Sequence, residues 1–120
     1  MLTVYSAQVL DHFQNPRNTG DIPSPAASAQ IENPACGDIL KLTLRMSDGH
    51  ISEIGFRAKG CVPAMACGSL LTEMVKGKTP NQARKLTREE LVTAIGGLPE
   101  ASSHAAHLAL KALNMALRGL

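Results

Sequence analysis

Aromatic residues are almost missing from this chain. It has no tryptophan, and its whole aromatic content is Tyr5, Phe13 and Phe56. Single-stranded nucleic acid is usually gripped by stacking bases on aromatic faces, so that class is disfavoured. The core must be built from Leu, Ile, Val, Met and Ala. An excess of one charge is also missing: 12 basic against 10 acidic residues leave a formal charge of +2. That balance marks neither nucleic acid nor an anionic membrane as a partner. No apolar run approaches the length of a membrane span, and no basic-plus-apolar leader opens the chain. A cytoplasmic location is the expectation. Cysteine is sparse as well: Cys36, Cys61 and Cys67 form no Cys-x-x-Cys pair. An odd count without a secretory signal favours thiols, metal ligation or sulfur chemistry over a disulfide framework.

The 120 residues fit a single domain spanning 1–120, long enough to bury a modest core. Val4 to Phe13 has near-helical apolar spacing, and Asn15 to Gly20 breaks it with turn residues. Asp21 to Ser28 lacks periodicity, so residues 1–28 read as a partly mobile N-terminal arm, followed by a short edge strand near Ala29 to Glu32. Leu40, Leu42, Leu44 and Met46 alternate with polar residues, which predicts a half-buried strand. Asp48-Gly49 marks a hairpin turn, and a return strand runs from Ile51 to Ala58 with a bulge expected near Ser52-Glu53. Pro63 opens a helix that Gly77 can close. Capping patterns at Thr79 and Thr87 start further helices, and Ser102 or Ser103 is expected to cap a last one running to about Arg118. Strands grouped before helices argue an α+β fold, with the helices packed on one sheet face.

The chemistry-bearing residues cluster around Asn33-Pro34-Ala35-Cys36-Gly37-Asp38. Cys36 reads either as a soft ligand or as a packed small hydrophobe. Asp38 offers a hard oxygen ligand, a base, or a turn cap. Cys61 precedes a helix N-terminus, where the dipole and unpaired N–H groups favour thiolate. The hairpin between Cys36 and Cys61 brings both out at one end of the sheet. His104 lies at another helix start, which keeps an imidazole neutral and able to ligate. Cys67 and His107 are further candidates, though Cys67 also fits a core position and His107 could turn outward. His12 and His50 have no motif around them and read as surface. Two thiolates, an imidazole and a carboxylate could hold zinc, or an iron–sulfur cluster with some non-thiolate ligands.

These residues carry a resemblance. Tyr5-Ser6 with Leu10 through Gly20 resembles the opening of the IscU family, the NifU N-terminal-type iron–sulfur scaffolds. Asn33 through Asp38 with Lys41-Leu42 is similar to its first cysteine motif, and Gly60-Cys61 with Ser69 through Glu73 and Val75 through Lys78 to its second. No extra segment separates the latter from the final helix, as in the IscU branch and unlike the zinc-dependent SufU branch. The resemblance implies a three-stranded antiparallel sheet with helices packed on one side. It implies a non-enzymatic scaffold that binds Fe2+ and transiently holds a [2Fe-2S] cluster for apo iron–sulfur proteins, with Zn2+ able to occupy the isolated protein. The implied partners are a cysteine desulfurase and a DnaK-type chaperone, with a monomer or weak homo-oligomer expected. Cys36, Asp38, Cys61 and His104 map onto family ligands, Asp38 onto the one credited with keeping the site labile, and Tyr5 onto a dimer contact. Ala105 stands at the family's third cysteine, and Leu98 to Ser102 is a reduced form of its chaperone motif. The competing reading is a relative that binds zinc or iron without building clusters, as a metal carrier or desulfurase regulator. A third is a zinc-linked sulfur-acceptor enzyme.

Overall fold

The computed structural model describes residues 5–34, 37–118 and 120. Its elements are helix α1 (Ala7–Gln14), strands β1 (Ala27–Asn33), β2 (Asp38–Ser47) and β3 (His50–Lys59), and helices α2 (Val62–Val75), α3 (Pro80–Arg84), α4 (Arg88–Ala94) and α5 (His104–Leu117). The three strands form one antiparallel sheet in the order β1-β2-β3. Alternation in β2 turns Leu40, Leu42 and Leu44 inward, each fully buried, while Ile39, Lys41 and Arg45 face the other way. Helices α2 and α5 cover the inner face, and α1 packs on the far side of α2. The α+β architecture is the one the element order implied.

The hairpin turn has positive φ at both Asp48 (52°) and Gly49 (78°), the twist a two-residue hairpin requires. The register slips between Arg45 and Met46, leaving Ser52 as the extra residue on β3. Its hydroxyl donates to the Arg45 carbonyl at 3.0 Å, so the bulge expected there is real and satisfied. Helix α2 is the central element, apolar on most of its surface and buried from Pro63 to Val75 on several faces. It approaches the sheet closely because position 68 is glycine: a Cβ there would sit 2.8 Å from Leu40 and 2.9 Å from Phe56.

Two local expectations are corrected. His12 is not a surface residue but is 7% exposed between α1 and α2. Its Nδ1 lies 2.8 Å from Ser69 Oγ, and that oxygen also accepts the Arg17 backbone N–H at 2.9 Å. His12 Nε2 lies 3.6 Å from the Glu73 carboxylate. Burial, and then the Arg17 charge, pull its pKa below 6.5. Second, neither Ser102 nor Ser103 caps α5 by its side chain. A 3-10 turn over Glu100–Ser102 runs directly into the helix, holding Ser103 in helical dihedrals from which no cap bond forms.

Candidate metal centre

The sheet register builds one end of the molecule into a site. Asp38 opens β2, and Ile39 pairs with Lys59 at the end of β3, so Asp38 faces Gly60 and Cys61 as they leave the sheet. Cys61 is the N-cap residue of α2. Its backbone N–H donates to Asp38 Oδ1 at 3.2 Å, and its thiol donates to Oδ2 at 3.1 Å. A carboxylate here complements the positive end of α2. Gly60 makes the contact sterically feasible: its φ is +137°, and a Cβ would fall 2.0 Å from Oδ1. Asp38 is thereby held at 3% exposure.

His104, the first residue of α5, closes the arrangement. Its Nε2 lies 3.4 Å from Asp38 Oδ2, and its side chain is 35% exposed. Ligand atoms of Asp38, Cys61 and His104 all lie within 4.8 Å of one another. One cation could reach a thiolate, an imidazole and a carboxylate there, a donor set suited to zinc or iron. The Cys61–Asp38 hydrogen bond puts a proton where such an ion would draw the two groups together, so binding must displace it. Beside the site, a groove of about 190 Å³ runs between β1 and α5, lined by Glu32, Pro34, His104, His107 and Lys111 among others.

Of the residues singled out from sequence, Asp38, Cys61 and His104 converge, while Cys67 and His107 do not join them. Cys36 and its neighbour Ala35 lie outside the described residues. Cys67 is fully buried in the core cluster, where burial, and then the nearby Cys61, push its thiol up to about 12. His107 is exposed on α5 and faces the groove beside the site. Ala105, at the position of the absent cysteine, is fully buried in the core. Gly60 is the functional residue that sequence reading passed over. Its signal was a glycine directly before a cysteine at the end of a strand, a place where close backbone approach is expected.

The chain was compared with known proteins. Residues 4–119 match the family described as NifU-like N terminal domain. A protein of Archaeoglobus fulgidus called iron–sulfur cluster assembly scaffold protein IscU 1 is 43% identical over 95% of this chain and 74% of its own length. The IscU scaffold protein of Escherichia coli K12 is 36% identical over 94% of this chain and 91% of its length. Among solved structures, a SUF-system scaffold protein from Fervidobacterium islandicum superposes with a TM-score of 0.78 at 21% identity, over 96% of this chain and 97% of that one. A NifU-like N-terminal domain from Brucella abortus gives a TM-score of 0.64 at 21% identity, over 97% and 82%. Those two likenesses bear on the fold, and they repeat the sheet-and-helix arrangement found here. On the sequence match across nearly its whole length, the chain belongs to the NifU-like N-terminal domain family.

Proposed function

We propose that this protein is an iron–sulfur cluster assembly scaffold, which binds iron and transiently holds a [2Fe-2S] cluster as cargo for apo-proteins. The observation that carries this reading is the convergence of Asp38, Cys61 and His104 within 4.8 Å at one end of the sheet. Three unlike donors on three different elements make a poor permanent cage and a good temporary one. Asp38 supplies the ligand most easily given up, because a carboxylate is a weak partner for iron–sulfur sulfur-rich chemistry. When it lets go, Oδ1 can return to the Cys61 backbone N–H, and the thiol bond to Oδ2 re-forms once the cargo has left and Cys61 is protonated again. Cys36 completes the ligand set, and sulfur arrives from a cysteine desulfurase in the cytoplasm. A DnaK-type chaperone would act at Leu98 to Ser102, where this chain keeps only part of the family motif.

The test is reconstitution under anaerobic conditions with ferrous iron and sulfide, followed by iron, zinc and acid-labile sulfide analysis. Sulfide equal to iron, with visible absorption lost in Cys36→Ser and Cys61→Ser, is the expected result. Asp38→Ala should keep a cluster and hand it to an apo-ferredoxin more slowly. Iron or zinc bound without sulfide would replace the scaffold reading with that of a metal carrier.

A further inference from the structure

The outer face of the sheet is only half covered. Residues 18–20 line the free edge of β3, with the Phe56 N–H donating to the Asn18 carbonyl at 2.9 Å and the Gly20 N–H to the Phe56 carbonyl at 2.9 Å. The chain then crosses the outer face toward β1. Ile22 N–H donates to Thr43 Oγ1 at 2.9 Å, Arg45 donates to the Pro23 carbonyl, and Ala26 N–H donates to the Leu44 carbonyl at 2.8 Å. Gly55 is glycine because this crossing strap passes over it: a Cβ would lie 2.4 Å from the Gly20 oxygen. Thr43 and Gly55 are buried as a result.

The other half of that face lies next to the Asp38–Cys61–His104 end, and among the described residues no segment crosses it. Register puts Gln30 beside Lys41, Lys41 beside Arg57, and Ile39 beside Lys59. Together they line a shallow groove of about 380 Å³. Arg57 is 68% exposed and Lys59 is exposed, with half-buried Ile39 as an apolar floor. The cations already show what they hold. Asp21, on the strap, presents one carboxylate to both Lys41 Nζ at 3.4 Å and Arg57 Nη1 at 3.3 Å. Glu32, opposite Ile39 and in phase with Gln30, is a second carboxylate at the edge of this face, and it also borders the neighbouring groove with His107 and Lys111. Three cations, Lys41, Arg57 and Lys59, therefore outnumber the two carboxylates Asp21 and Glu32, on a surface without aromatic rings for stacking bases.

We propose that this uncovered half-face docks an acidic, extended segment of a partner protein, seating an apolar side chain on Ile39 between the carboxylates that Lys41, Arg57 and Lys59 bind. Asp21 competes for the same cations and tunes the affinity. Docking here sets a partner down beside the candidate metal centre without using its ligands. The inference stands on the sheet surface alone and does not depend on what the centre carries.

The probe is a fluorescein-labelled peptide of alternating Glu and Leu, with its Gln-for-Glu analogue as control, titrated at low salt against the metal-free protein. Saturable binding of the acidic peptide alone is expected, with amide shifts confined to residues 30, 39, 41, 57 and 59. The double variant Arg57→Glu/Lys59→Glu should weaken binding by about tenfold or more, and Asp21→Asn should strengthen it by about threefold, since exposed ion pairs are worth a few tenths to one kcal/mol each. Both substitutions lie on exposed positions, and an unchanged melting curve confirms the fold. Equal binding by the charge-reversed variant, shifts mapping elsewhere, or preferential binding of a single-stranded oligonucleotide to this face would overturn the proposal.

Discussion

At the scale of single residues, the site rests on a glycine as much as on its ligands. Asp38 can be buried beside a helix N-terminus only because Gly60 brings nothing but backbone to the contact. The Gly60→Ala variant has two separate faults. Its φ of +137° is one that L side chains rarely adopt, and its methyl would collide with Oδ1 at 2.0 Å. Backbone strain of this kind costs on the order of 1–3 kcal/mol. The collision must also push Asp38 off the Cys61 amide, leaving a buried carboxylate short of a donor. Gly60→Ala is therefore expected to lower the urea midpoint and weaken metal binding together. Destabilisation with unchanged metal affinity would show that the Asp38–Cys61 contact is not what organises the ligands.

At the scale of elements, what was legible in the sequence was what short-range patterning controls. Alternation gave β2 and β3, Asp-Gly gave the turn, and the phase break at Ile51 gave the bulge that the register shift confirms. The hairpin was expected to bring Cys36 and Cys61 out at one end of the sheet; Cys36 lies outside the described residues, and it is Asp38 that meets Cys61 there. His104 at the start of α5 was legible, but its cap was not, because the preceding 3-10 turn leaves no extended residue to act as one. The strand β1 begins at Ala27, inside a stretch that reads as irregular, since its partner β2 and not its own composition draws it into the sheet. His12 was misread for the same reason: the partner that buries it is Ser69, 57 residues away. That pairing has a consequence for pH. His12 has a folded pKa below 6.5, so on acidification the unfolded chain takes up the proton first. Stability is fully present above about pH 6.5 and is lost as pH falls from there toward the folded pKa, below which the loss stops growing. Urea midpoints measured across this window should fall in the wild type and fall less in His12→Gln, which is less stable at neutral pH for want of the ring's packing. Parallel pH profiles for the two proteins would remove His12 as the titrating group.

At the scale of the whole molecule, the candidate centre is a seam where distant parts of the chain are held together. Asp38 begins β2, Cys61 caps the start of α2, and His104 begins α5, with 66 positions separating the first from the last. The unfolded chain cannot present these three donors together, so an ion bound among them favours the folded state by mass action. At a free metal concentration of about a hundred times Kd this amounts to roughly 2.7 kcal/mol, less whatever the unfolded thiols and imidazoles bind. For a chain of this size that corresponds to a rise in Tm of about 10 °C, at roughly 4 °C per kcal/mol. Zinc is the convenient probe, since it is redox-silent and accepts thiolate, imidazole and carboxylate alike. His104→Ala is the informative variant, because the ring is partly exposed and its removal leaves the core intact. The metal-free variant should melt close to the wild type, and its Tm should climb much less with added zinc. An equal climb in both proteins would place the bound ion elsewhere and dissolve the seam.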